Sequence, residues 1–270
     1  MKISLEKPYK LCDFKEIYGI IFEDYIKNYD YWGECDFDVV FGDLRYFTDK
    51  YQIQKYDKFL NRGHLSLYKN TEKVNNYYKL KGSKTGNYEQ VFTSPKNFAF
   101  DETYGINKIY EKNNFPFFQK RIYGDIDTRY KRFKQSIRSE EEKNYDYQVY
   151  YWNNGHVYRA FLYKKQIQIE ELAYIHLQKR KFDDLNFNIV LSNSFYISNK
   201  GFINKENKNI PTIKDIKYYN EYNGKIYELI EYLSNLKKNW KFILKWYMEK
   251  NKIGIEILKI LKKIKSKNNK

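Results

Sequence analysis

Two aspartates one residue apart, Asp36 and Asp38, are the residues of this chain best suited to chemistry. They follow a short aromatic run, Tyr29 to Cys35, whose composition predicts a strand. Side chains alternate faces along a strand, so residues two apart point the same way. Two carboxylates emerging together at a strand end can share one hard divalent cation. Mg²⁺ or Mn²⁺ is readily held by one or two carboxylates plus the oxygens of a diphosphate, without a full protein cage. The pair therefore predicts a Mn²⁺ or Mg²⁺ site able to grip the diphosphate of a nucleotide-sugar. The competing reading is an Asp-rich turn that caps a helix or faces solvent.

Other candidates lie far along the chain. Phe98-Ala99-Phe100 precedes Asp101 and Glu102, a pattern that places a carboxylate at the edge of a core. Desolvation there raises a carboxyl toward useful base strength, whereas the plainer alternative is a helix N-cap. His64, after Gly63, suits either an acceptor pocket or a strand histidine with a satisfied nitrogen. His176 sits among Tyr174, Ile175 and Leu177, which by themselves suggest a packed side chain. Lys179 and Arg180 directly follow and offer cations for a departing diphosphate, or else form a solvated basic cluster. Asp13 and Lys15 lie upstream of the Asp-x-Asp, where an internal salt bridge is the plain alternative to a ligand contact.

The elements that must position these residues can be read coarsely. Leu11 to Tyr25 is predicted helical, with Phe14, Tyr18, Ile21, Phe22 and Tyr25 on one face. Tyr51 to Leu60 is predicted as a short helix and His64 to Tyr68 as a strand. Asn70-Thr71 opens a helix through Tyr78, and Lys81 to Asn87 is a loop by composition. Val149 to Tyr163 contains Asn153-Asn154-Gly155 and predicts a β-hairpin with an Asn-Gly turn. Gln166 to Ala173 feeds the element carrying His176, Phe187 to Ile197 is a strand-pair candidate, and Tyr227 onward is helical. The predicted division is a body over 1–226 and a basic amphipathic tail over 227–270.

Composition sets limits. The chain has 270 residues and a mean hydropathy of −0.85, with no apolar run of the ~18 to 20 residues a membrane span needs. No charged and then apolar leader pattern opens it. Cys12 and Cys35 lack Cys-x-x-Cys spacing and sit in apolar or aromatic surroundings, which predicts buried thiols in a reducing cytoplasm. The net charge of +16 is concentrated: Lys237 to Lys270 carries 12 Lys and 2 Glu, a net +10, which leaves +6 for the rest. Arg is scarce relative to Lys, which argues against specific nucleic-acid recognition. In the tail, Ile257, Ile260, Leu261 and Ile264 recur among lysines, the pattern of a helix lying in an anionic membrane interface.

The order and spacing of several motifs carry a resemblance. Pro8-Tyr9-Lys10-Leu11-Cys12-Asp13-Phe14-Lys15, Tyr18-Gly19, Trp32-Gly33, Cys35-Asp36-Phe37-Asp38 and Phe41-Gly42-Asp43 come first. Gly63-His64-Leu65-Ser66-Leu67-Tyr68-Lys69-Asn70, Phe100-Asp101-Glu102 and Tyr174-Ile175-His176-Leu177-Gln178-Lys179-Arg180 follow. From Lys7 to Ile197 the chain resembles an uncharacterised bacterial glycosyltransferase-like family, domain of unknown function 6625, encoded around capsule and lipopolysaccharide genes. Two positions depart from its pattern: Glu16-Ile17 stands for Pro-Ala, and Glu34 for a frequent His.

The resemblance implies an α/β fold of the glycosyltransferase A type, a mixed sheet flanked by helices. It also implies a nucleotide-binding segment ahead of the first motif. Met1 lies only six residues before Lys7, so a truncated fold is expected. It assigns metal binding to Asp36, Asp38 and His176, with Mn²⁺ or Mg²⁺ as cofactor. Asp13, Lys15, Lys179 and Arg180 would contact a nucleotide-sugar donor, and His64 the acceptor. Asp101 or Glu102 would be the base. The partners implied are that donor and a glycan or lipid-linked acceptor, in the cytoplasm or on the inner face of the membrane. Two rivals follow: an inactive glycan-binding relic, and a metal-dependent nucleic-acid-binding protein.

Overall fold

A computed structural model describes residues 1–140, 142–180, 192–205 and 210–234. Among them, short strands β1 (Tyr31–Cys35) and β2 (Val39–Phe41) flank the Asp-x-Asp link, which is itself not strand. β1 pairs antiparallel with β4 (Leu65–Lys69), and β4 with β3 (Lys58–Arg62). β5 (Phe117–Phe118) closes that sheet parallel to β3. A second, three-stranded sheet places β10 (Tyr174–His176) between β2 and β6 (Gly124–Asp125). The third sheet has the order β12-β11-β7-β8-β9, comprising β7 (Gln148–Asn153), β8 (His156–Tyr163), β9 (Gln166–Leu172), β11 (Ser194–Ser198) and β12 (Gly201–Asn204). The protein is thus mixed α/β with several small, largely antiparallel sheets and short helices.

The local reasons are visible in the sequence. Asn154 and Gly155 both adopt positive φ, 48° and 90°, the left-handed pair required by a two-residue hairpin between β7 and β8. Thr71 caps Glu72–Asn75 by accepting from the Val74 N–H, as its position predicts. The β10 run Tyr174-Ile175 is fully buried, and Ile175 packs with Ile126, Tyr150 and Leu172 where the second and third sheets meet. A separate core of Phe14, Trp32, Tyr68, Phe92, Phe100 and Tyr110 supports the first sheet.

Several expectations change. Leu11 to Tyr25 is not one amphipathic helix. Pro8–Ile17 is a 3₁₀ helix, followed by two single turns, Tyr18–Ile21 and Glu23–Ile26. Phe14 is buried, but Ile21, Phe22 and Tyr25 are exposed, so the apolar spacing does not mark a core face. Of Tyr51 to Leu60, only Ile53–Lys55 is helical, as a single 3₁₀ turn. The helix lies earlier, at Leu44–Lys50, and Phe59 and Leu60 belong to buried strand β3. Short apolar runs fit strand and helix equally, and here sheet pairing decides.

The thiol expectation is also revised: Cys12 is half-buried and Cys35 exposed, and both are free. Residues 225–234 are helical, whereas the basic amphipathic stretch and the 187–191 part of the strand-pair candidate lie outside the described residues. No described helix is long and apolar enough to cross a membrane.

Candidate metal centre

Strand register explains how residues 36, 38, 125 and 176 meet. In the second sheet, His176 at the end of β10 lies opposite Val39 on one side and opposite Asp125, in parallel register, on the other. Val39 is the residue after Asp38, so the antiparallel pairing delivers Asp38 to the histidine. The Leu177 N–H donates to the Asp38 carbonyl at 2.8 Å and extends that ladder. Asp36 is placed from the other sheet: it follows β1, and its N–H donates to the His64 carbonyl at 3.1 Å.

The side chains then converge. His176 Nε2 lies 3.5 Å from Asp38 Oδ1 and 3.9 Å from Asp36 Oδ2. One donor atom from each of the three falls within 4.8 Å of the others. The remaining oxygens are already used. Lys15 Nζ donates to Asp36 Oδ1 at 2.7 Å, and the Lys179 N–H donates to Asp38 Oδ2. Each carboxylate therefore turns one oxygen to the protein and one to the cluster. On the far side, His176 Nδ1 lies 2.9 Å from Asp125 Oδ1. A carboxylate on the second ring nitrogen fixes orientation and tautomer and leaves Nε2 as the ligand, a recurring support for metal-bound histidine. An O/O/N set with one exposed flank fits a hard divalent cation that keeps open positions for diphosphate oxygens.

Backbone strain marks the same place. Gln178 and Lys179 both have positive φ, 50° and 60°, which is uncommon for residues with a side chain. That turn aims the Lys179 N–H at Asp38 and lets the Gln178 amide donate to Asp125 at 2.6 Å. Strain of this kind persists where surrounding contacts over-determine it.

Asp125 is the residue that the sequence reading lacks. It is 1% exposed, and it accepts from Gln178 and from Arg138 at 3.1 Å as well as pairing with His176. Burial alone would push its carboxyl up, but the hydrogen bonds to His176 and Gln178 outweigh it and hold it well below the usual range. The available signal is a second Asp-x-Asp, Asp125-Ile126-Asp127, behind the apolar pair Ile122-Tyr123. Asp127 itself takes the Arg129 guanidinium in a fork. A cleft of about 280 Å³ opens beside Asp125, lined by Arg129, Ser136, Arg138 and Gln178 among others. A larger depression of about 540 Å³ near Lys200 and Tyr218 shares no residue with the cluster.

Lys15 is in the site as a counter-ion. Besides Asp36, its ammonium lies 3.1 Å from Glu34 and 3.7 Å from Asp101, and it donates to the Gly63 carbonyl. Burial would lower it, but the Glu34 charge, the Asp36 hydrogen bond and the Asp101 charge hold it far above the ordinary lysine value. Buried Glu34 and Asp101 are both pushed well up, chiefly by desolvation. Gly63 is required where it stands, because a Cβ there would meet Asp101 Oδ2 at 2.5 Å. Cys12 faces the same charges. Burial and then Asp101 push its thiol up to about 11, which keeps it protonated.

The remaining candidates separate. Asp101 lies in this cluster and is not a helix cap, since the following helix starts at Ile106 after Gly105. Glu102 turns away toward Arg62, at 4.0 Å, with its side chain 40% exposed. His64 is 4% exposed, stacks on His176 with ring centroids 4.3 Å apart, and does not line an open acceptor pocket. Lys179 lays its ammonium over the Tyr9 ring at 4.3 Å.

Arg180 does not fit a diphosphate-binding role. Its guanidinium donates to the carbonyls of Asp127, Tyr130 and Lys131 and rests on Phe133, so it ties down that loop. Asp13 does not fit a donor-binding role either. It is fully buried and accepts from Lys10 and from the Phe98 and Phe100 N–H groups, which orients the segment leading to Asp101. Asp13→Ala is accordingly expected to cost about 3 kcal/mol in denaturant unfolding, because it strands the buried Lys10 ammonium. Unchanged stability with lost diphosphate affinity would restore the ligand role.

Residues 1–206 match a family described as a family of unknown function, DUF6625. The chain belongs to this family. No curated protein and no solved structure matches it. Membership in DUF6625 carries no activity with it, so the chemistry rests on the cluster itself.

Proposed function

We propose that this DUF6625 protein is a metal-dependent glycosyltransferase that moves a sugar from a nucleotide-sugar to a hydroxyl of a bacterial surface glycan. The observation that carries the reading is the convergence of Asp36, Asp38 and His176 Nε2, with Asp125 behind the histidine. Mn²⁺ or Mg²⁺ held there would neutralise a diphosphate and act as Lewis acid for its departure. The chain's own groups do the rest. Asp125 orients His176, Lys15 holds Asp36, and the strained Lys179 N–H holds Asp38. Asp101, raised by burial and set in the same charge cluster, is the group suited to take the acceptor proton. Lys179 is the side chain suited to meet the leaving diphosphate. A lipid-linked acceptor would place this reaction on the cytoplasmic face of the membrane, next to the basic C-terminal segment.

The test is calorimetric titration with Mn²⁺ and uridine or guanosine diphosphate, singly and together. Each is expected to tighten the binding of the other. Additive, independent binding, or none, would remove the reading. In an active preparation, Asp101→Asn is expected to lower nucleotide-sugar turnover by about 10²-fold or more with donor affinity nearly intact, since the lost interaction belongs to the transition state. Normal turnover with early melting would instead make Asp101 a structural acid.

A further inference from the structure

His64 makes a contact pattern that the Asp36–Asp38 site does not use. Its Nδ1 lies 3.0 Å from the Tyr174 hydroxyl, while its Nε2 is buried with no protein hydrogen-bond partner. A buried polar nitrogen left without a partner is costly, so the fold keeps it against a penalty. Nδ1–H donating to the tyrosine oxygen leaves Nε2 as a bare lone pair. That is the arrangement in which an outer partner prepares a histidine to bind a metal. One donor atom each from His64, Asp125 and His176 lies within 4.8 Å of the other two.

We infer that His64 Nε2, Asp125 and His176 Nδ1 form a second cation position, selective for Zn²⁺ and exclusive of the Asp36–Asp38 site. Two imidazoles and a carboxylate make a nitrogen-rich, borderline-soft set that suits Zn²⁺, with solvent as fourth ligand, better than Mg²⁺ or Mn²⁺. Gln178 and Arg138 already orient the Asp125 carboxylate, and Tyr174 orients His64. Exclusion follows from the shared ring. Serving Mn²⁺ requires the ring proton on Nδ1 and the lone pair on Nε2. Serving Zn²⁺ requires the reverse tautomer, with the ring proton kept on Nε2, where it faces the carboxylates of Asp36 and Asp38. Zn²⁺ bound here would withdraw His176 from the other site and act as an antagonist of Mn²⁺. The inference rests on geometry alone and stands whether or not the protein transfers sugars.

The experiment is calorimetric titration of the full chain with Zn²⁺ and with Mn²⁺, alone and in competition, for the wild type, His64→Gln and Asp38→Ala. The wild type is expected to bind one Zn²⁺ and then no Mn²⁺. Asp38→Ala should keep its Zn²⁺ affinity and lose Mn²⁺, whereas His64→Gln should lose at least about tenfold in Zn²⁺ affinity and keep Mn²⁺. Absence of Zn²⁺ binding, Zn²⁺ affinity that survives His64→Gln, or Zn²⁺ affinity that falls with Asp38→Ala would overturn it. Should His64→Gln not fold, Co²⁺ loaded into the wild type gives a direct readout. Intense tetrahedral absorption bands that Mn²⁺ does not displace support the site, and weak octahedral bands that Mn²⁺ displaces overturn it. Failure of Mn²⁺ binding with Zn²⁺ binding intact would count against the glycosyl-transfer reading only.

Discussion

Asp38→Ala should abolish cooperative binding of Mn²⁺ and nucleoside diphosphate while leaving the fold nearly unchanged. Asp38 is half-buried, and its side chain holds one protein donor, the Lys179 N–H. Losing that contact relaxes a strained turn whose other anchors, the Leu177 ladder bond and the Gln178 contact with Asp125, remain. Loss of one of the three proposed ligand side chains is different in kind. The open coordination of Mg²⁺ and Mn²⁺ sites means that a single carboxylate supplies much of the protein's share. The expected result is no measurable Mn²⁺ heat and a diphosphate affinity that no longer responds to metal. Far-UV circular dichroism and melting should match the wild type within a few degrees. Diphosphate affinity that is unchanged in the presence of Mn²⁺ would show that the metal, if bound at all, sits elsewhere.

The same residues show how far sequence can reach. Asp36, Asp38 and His176 are legible because an Asp-x-Asp beside an apolar strand limits where its carboxylates can go, and the motif order pairs it with a distant histidine. The hairpin at Asn154-Gly155 is legible for a local reason, since its turn needs two residues tolerant of positive φ. Asp125 is not legible in that way. Its place beside His176 depends on parallel pairing between two-residue β6 and three-residue β10, whose paired residues lie 51 positions apart and leave no periodic trace. Lys15 is visible as a cation near the motif, but its role as counter-ion to three carboxylates appears only once Gly63 lets Asp101 approach. The aromatic spacing over 14–25 misleads because the segment breaks into a 3₁₀ helix and two separate α-helical turns, so no single helical face joins buried Phe14 to exposed Phe22 and Tyr25.

Glu34 shows what one buried acid demands of its surroundings. It is 4% exposed, and its ion-pair partner is Lys15. A buried carboxylate needs a paired cation or a proton. Lys15 therefore serves Glu34, Asp36 and Asp101 at once, and the stability of the centre is tied to one ammonium.

Lys15→Met should consequently be among the most destabilising single substitutions in this protein, by about 3–5 kcal/mol at neutral pH. Methionine matches the length of the lysine stem, so the loss reflects charge more than volume. The sign of its pH dependence is fixed by the acids left behind. Glu34 and Asp101 have folded-state values raised above their unfolded ones, chiefly by burial. Such groups favour the folded state below the unfolded carboxyl value of about 4, and that contribution is lost as pH rises through the folded value. Without Lys15 the folded values climb further, so the deficit should be small in acid and grow from about pH 4 upward. In the wild type the lysine opposes this loss, and its own contribution ends only when pH passes its ordinary value toward the raised one. Urea unfolding of both proteins at several pH values between 4 and 8 measures the difference directly. A deficit that widens with pH identifies Lys15 as the electrostatic centre of the site. A small deficit, equal at every pH, would mean that solvent rather than Lys15 balances these carboxylates.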